Sequence, residues 1–224
     1  MTTPRVGVVV LAAGRSSRFG LGAHKLLATI GDVPLVRLSV SAAVDADIGR
    51  VVVVTGAQAE RVEQALDGLP VRLVREPAFA NGMSVSLRRG VITLERDVDA
   101  LLISLGDQPH MRADAYREVV SRWRESRSPI VVPRYADESG PAHPTLFAAE
   151  IFAELLALEG DVGARSVVAR DASRVAEAAL RWPAPRDVDT PEDLEALLGE
   201  RISTRSSAHD SGSVSSNPPT KTTP

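Results

Sequence analysis

The sequence predicts an α/β fold: a single domain with a doubly wound, mostly parallel sheet. Three observations carry this. Short apolar runs rich in β-branched residues alternate with helix-like segments along most of the 224 residues. The runs are apolar throughout, as expected of parallel strands buried on both faces. The first of them leads straight into a glycine-rich, arginine-bearing loop, at the place where open α/β sheets hold their ligands.

The elements follow in order. Val6–Leu11 is the first strand, an unbroken run of Val and Leu after Gly7. Pro34–Val44 reads as a helix, then Val51–Thr55 as a second strand. Ala57–Leu66 is helical, with Val62, Ala65 and Leu66 at helical spacing. Val71–Val74 is a strand, and Ser84–Leu94 a helix opened by a glycine and hydroxyl residues. Ala100–Leu105 is an apolar strand followed by the helix Ala113–Glu125. Ile130–Val132 and a weaker Val175–Leu180 complete the strands. Ala148–Leu158, Gly163–Arg170 and Pro191–Leu198 complete the helices, the last with Thr190 as N-cap, Pro191 at the first helical position and acids in the first turn.

Composition narrows the function. A net charge of −3 gives no support for nucleic-acid binding, which usually shows as a basic face. There are no cysteines, which excludes disulfides, thiolate catalysis and cysteine-ligated zinc and fits a cytoplasmic protein. No apolar stretch approaches the length of a membrane span, and the N-terminus lacks the apolar core of a signal peptide. From about residue 201 Ser, Thr and Pro dominate, so residues 1–200 are expected to form the domain and 201–224 a disordered tail.

The chemistry begins at Leu11-Ala12-Ala13-Gly14-Arg15-Ser16-Ser17-Arg18-Phe19-Gly20, with Lys25 shortly after. Small residues let backbone N–H groups approach phosphates, and the cations neutralise them. The segment matches neither the P-loop, since Gly20 is followed by Leu21, nor the dinucleotide fingerprint, since Gly20-Leu21-Gly22 has no third glycine. Lys25 suits an α-phosphate gaining charge, and Arg15 and Arg18 a leaving pyrophosphate. Asp107, in Gly106-Asp107-Gln108-Pro109, follows a strand and offers a hard oxygen to Mg²⁺; helix capping is poorly placed there because Pro109 to Arg112 intervene. The amides that open the helix at Asn81-Gly82-Met83-Ser84-Val85-Ser86-Leu87, together with Ser86, can read a base or ribose, with Gly82 allowing close approach. Capping by Ser84 would explain half of this motif. Thr55, at the end of the second strand, is a further base neighbour.

These motifs, with Lys25-Leu26-Leu27, Gly140 to Pro144 and Asp187 to Leu194, resemble the pyrophosphorylase-type loop and partner motifs of nucleotidyltransferases, over roughly residues 5 to 199. The chain looks most like the molybdenum cofactor cytidylyltransferase branch of the family that also contains the corresponding guanylyltransferase. The resemblance implies a Rossmann-like fold of the nucleotide-diphospho-sugar transferase type, with Leu11, Ala12, Ala13, Gly14, Arg15, Arg18, Lys25, Thr55, Gly82 and Ser86 around the nucleotide. Arg15, Lys25 and Asp107 would be catalytic. It further implies Asp189 as a second carboxylate reaching the metal, with Asp187 as its neighbour or support. His143 would lie in a loop facing the acceptor, which carries Ala142 where glycine is usual. The implied reaction transfers CMP from CTP (or GMP from GTP) to the molybdopterin form of the cofactor, and the product would pass to a molybdenum hydroxylase. Another phosphorylated acceptor, such as a sugar or polyol phosphate, is the nearest alternative; a non-catalytic nucleotide-binding cofactor chaperone is the second.

Overall fold

The computed structural model describes residues 4–20, 23–137 and 142–199. The Ser/Thr/Pro-rich tail therefore lies outside the described residues, as do Gly140 and Pro141. Seven strands form the main sheet: β1 (Val6–Ala12), β4 (Gly49–Thr55), β5 (Arg72–Arg75), β6 (Ala100–Leu105), β7 (Ile130–Arg134), β8 (Thr145–Ala148) and β9 (Val175–Ala179). A small hairpin pairs β2 (Thr29–Ile30) with β3 (Val33–Pro34). The sheet order is β5-β4-β1-β6-β8-β7-β9, and β8 alone runs against its neighbours. This is the expected doubly wound, mostly parallel sheet.

The apolar runs are explained by two cores. Val8, Val10, Val53 and Leu102 face one layer, with Val36 and Val40 of α1 (Leu35–Asp45) and Tyr116, Val119 and Trp123 of α4 (Ala113–Ser126). Val9, Val52, Val54, Leu101 and Ile103 face the other, under Leu87, Val91 and Leu94 of α3 (Met83–Leu94), Phe152 and Leu155 of α5 (Phe152–Leu156) and Val167 of α6 (Arg165–Val168). Adjacent residues of one strand point to opposite faces, so a strand covered on both sides must be apolar at every position. Helix α3 lies unusually close to the sheet at Gly90, where an added Cβ would sit 2.3 Å from a Val9 methyl. The short α2 (Ala59–Gln64) buries only Val62.

The β2–β3 hairpin was not expected, and a larger difference lies around β8. Strand β8 was not expected, and the helix expected to begin at Ala148 starts at Phe152, after a 3₁₀ turn over Ala149–Ile151. Four residues behind a proline carry too little pattern to announce a strand; it is pairing with β6 and β7 that makes Thr145–Ala148 one. Among the described residues no helix is long and apolar enough to cross a membrane.

The topology fixes where a ligand can bind. From β1 the chain passes to β4 on one side, then returns to β6 on the other, so β1 and β6 flank the point where the winding reverses. Leu11 is in register with Leu105, and Ala12 with Thr55. The glycine loop after β1 and Gly106-Asp107 after β6 thus leave adjacent strands at the same edge, the crevice that doubly wound sheets use.

Candidate active site

That crevice holds a cavity of about 610 Å³. One wall is the loop Leu11 to Arg15, the other Phe79 to Met83 with Ser86, and Lys25 and Asp107 line it between them. Lys25 sits on a 3₁₀ turn (Lys25–Leu27) whose Leu26 is buried in the core. Its ammonium contacts Asp107 Oδ2 and Asp189 Oδ1, both at 2.6 Å, with only 14% of the lysine side chain exposed. Burial opposes the charged ammonium, but the two carboxylates outweigh it and hold the Lys25 pKa above the usual lysine value. Arg18 pairs with the other oxygen of Asp189 at 3.0 Å from an exposed position, where such a contact contributes little.

Asp189 arrives from far along the chain and is placed by its neighbours. Val188 is fully buried against Phe19, Ile30, Leu35 and Leu197, and its N–H donates to the Asp107 carbonyl at 3.0 Å. Asp187 accepts an N–H from Gln108 at 2.7 Å. Asp193 accepts from the N–H groups of Asp189 and Thr190, while its own N–H donates to the Thr190 hydroxyl. That reciprocal cap opens the helix over residues 191–199 as the sequence predicted.

The two carboxylates suit a hard divalent cation. Asp107 Oδ1 is buried without a hydrogen-bond partner, and a buried oxygen of this kind calls for a ligand. Among the described residues no three carboxylates or histidines converge, so phosphate oxygens and water would complete the coordination, as is usual for Mg²⁺.

Other expected residues divide. Leu11, Ala12, Ala13, Gly14, Arg15, Gly82 and Ser86 line the cavity, and Arg15 lies over the Phe79 ring at 6.0 Å. Thr55 does not line it: wholly buried, its hydroxyl donates to Glu63 at 2.8 Å, and Glu63 also holds Arg75. Ser84 is not a cap. It lies inside α3, buried, and its hydroxyl has no partner. The start of α3 is capped from a distant loop, where Met83 N–H donates to Asp161 Oδ1 and Ser84 N–H to the Gly160 carbonyl, both at 3.2 Å. Those two amides are thus already engaged. Asp161 also lines the cavity and was missed from sequence, although the spaced glycines of Gly160-Asp161-Val162-Gly163 were a signal of close backbone approach.

His143 is half-buried and does not line the cavity. Its Nδ1 lies 3.0 Å from the Ile103 carbonyl, which requires the proton on Nδ1. Its own carbonyl accepts from the Tyr135 hydroxyl, and its peptide bond to Pro144 is cis. His24 is almost fully buried, with neither ring nitrogen in hydrogen-bond geometry; burial pushes its pKa below the ordinary imidazole range, partly opposed by the Gly14 backbone.

A glycine loop and a sheltered lysine at one cavity, with a carboxylate from the end of β6 and a second from the irregular segment at Asp189 both on that lysine, suit a nucleoside triphosphate. The family model of the MobA-like NTP transferase domain matches residues 8–175, well over half of the chain. The chain belongs to this family. Its chemistry is accordingly that of a nucleotidyltransferase. The crystal structure of Rv0371c from Mycobacterium tuberculosis H37Rv in complex with manganese is similar at 31% identity and a TM-score of 0.71, over 88% of this chain and 99% of that one. A nucleotidyl transferase from Methanothermobacter superposes with a TM-score of 0.73 at 26% identity, over 89% of this chain and 99% of its own. The bifunctional protein GlmU of Sphingopyxis alaskensis is 30% identical over 86% of this chain but 40% of its own length. The chain thus spans less than half of that curated relative.

Proposed function

We propose that this chain transfers CMP from CTP to the molybdopterin form of the molybdenum cofactor and releases pyrophosphate. The observation that carries the transfer chemistry is the meeting of Lys25, Asp107 and Asp189 at the cavity bounded by the Leu11–Arg15 loop. A terminal phosphate oxygen of the acceptor attacks the α-phosphorus of the nucleotide. The bond from that phosphorus to the bridging oxygen breaks, and the bond's electrons leave with pyrophosphate. Lys25 is suited to the charge gathering on the α-phosphate, and Arg15 to the departing pyrophosphate. Asp107 and Asp189 would hold Mg²⁺, which when bound supplies further charge neutralisation and a template for the phosphates. No protein nucleophile is required; rate comes from positioning. Asp161 lines the cavity, and under this reading its loop would face the acceptor, as the resemblance also implies for His143.

The choice of cytosine rests on the form of Ala12-Ala13-Gly14 and of Gly106-Asp107-Gln108-Pro109, and that of molybdopterin on the resemblance of the separated motifs taken together. A pocket with buried polar groups matched to one base leaves them unpaired against another. CTP is expected to exceed GTP in kcat/KM by at least roughly tenfold, about 1.4 kcal/mol in the transition state. Pyrophosphate release with each nucleotide and a molybdopterin-type acceptor, followed by mass analysis of the dinucleotide, tests this. A guanine product would reverse the donor assignment, and turnover only with sugar or polyol phosphates would reverse the acceptor.

A further inference from the structure

We propose that the Lys25 ammonium and a divalent cation compete for the same two carboxylates, so that cation and triphosphate bind as a coupled pair and neither charges the site alone. The inference rests on the reading of Asp107 and Asp189 as the cation's ligands. Its basis is geometric. Nζ lies 2.6 Å from one oxygen of each carboxylate, and the lysine, Asp107 and Asp189 side chains are exposed by only 14%, 16% and 30%. A cation bound to both oxygens at about 2.1 Å would overlap the position of Nζ. Lysine must therefore withdraw before those two oxygens, one from each carboxylate, can turn together to the ion.

Electrostatics says when it will. A dication beside the ammonium would set three positive charges against two negative ones in a sheltered crevice, where repulsion is weakly screened. A triphosphate reverses that balance. It offers Lys25 new anionic partners within the same cavity and offers the cation further oxygens. Lysine is suited to such an exchange because its compact charge rides on a flexible four-carbon stem. Since coupling between two sites is reciprocal, whatever factor the nucleotide adds to cation affinity the cation adds to nucleotide affinity. Removing the ammonium should therefore impair turnover while improving the binding of the ion by itself.

The experiment measures binding of Mn²⁺ alone, by electron paramagnetic resonance of the free ion, with no nucleotide present. Lys25→Met should bind Mn²⁺ about tenfold or more tighter than wild type, within the usual range of coupling factors. Lys25→Gln serves as the second neutral variant should the first fold poorly. Lys25→Arg keeps the charge and should bind Mn²⁺ no better than wild type. Asp107→Asn, in wild-type and Lys25→Met backgrounds, should weaken binding. If the neutral variants bind no tighter while Asp107→Asn still weakens the ion, the competition is refuted and the carboxylate site stands. Tightening in Lys25→Arg would likewise refute it, because charge would not be the cause. If Asp107→Asn leaves Mn²⁺ affinity unchanged, the ion lies elsewhere and both readings fail.

Discussion

Gln108 donates an N–H of its side-chain amide to Asp187 at 2.7 Å from a position only 4% exposed. The bond joins the end of β6 to the irregular segment that carries Asp189, alongside the backbone bond from Val188 to Asp107. Gln108→Leu keeps the volume and removes this tether. We expect Mn²⁺ affinity and kcat each to fall by about tenfold or more, as when outer partners of metal ligands are lost. Asp187→Ala should do the same, and the double variant should be little worse than either single one. Additive losses in the double variant would show that the two residues act separately.

Asp107→Asn should cost at least about a hundredfold in kcat while leaving the protein folded. The carboxylate is buried at a cost, since burial pushes its pKa up against the pull of Lys25, and the neutral amide removes that cost. Melting should shift by no more than about 4 °C, the scale of 1 kcal/mol in a domain of this size. A variant that retains turnover, or one that loses its melting transition, would overturn the assignment.

Gly82 has φ +114°, and an added Cβ would lie 2.3 Å from the Gly160 carbonyl oxygen. Gly82→Ala therefore combines backbone strain with a clash between two backbones. The expected loss is about 1–3 kcal/mol from the strain alone, together with weaker nucleotide binding because the cavity wall must shift. Chemical denaturation and nucleotide titration of the same sample check both. Unchanged stability would mean that the wall yields freely.

Stability should fall in mild acid. His24 and His143 both have pKa values lowered from 6.5 by burial. The unfolded chain then takes up protons before the folded one does, so the histidine contribution is complete above pH 6.5 and declines as pH drops below it toward the folded-state values. Thermal melts from about pH 8 to about pH 5 should show the decline, and His24→Gln should make it shallower. A His24→Gln profile parallel to wild type would remove His24 from the explanation.

The layers of the fold and one half of the site were readable from sequence because each rests on local pattern. A strand buried on both faces must be apolar throughout, so Val6–Leu11 and Ala100–Leu105 declared themselves, and the residue following such a strand is placed by the sheet. That is why Asp107 and the Leu11–Arg15 loop could be located. What escaped depends on long-range partners. Thr55 looked available at a strand end, but its side chain turns to Glu63. Ser84 had the chemistry of a cap, yet the cap comes from Gly160 and Asp161, nearly eighty residues away. Strand β8 exists only through its two neighbours.

The contact between Gly82 and Gly160 ties two stretches of wall that sequence would treat as separate. Lengthening or re-shaping residues 159–163 would unseat the first turn of α3, and with it Ser86 and the nucleotide side of the cavity. Were that loop re-shaped to suit another acceptor, a change of donor preference would come with it. Specificity for the two substrates would drift together, as one inherited unit, and an engineer seeking to alter only one of them would do better to leave this loop alone.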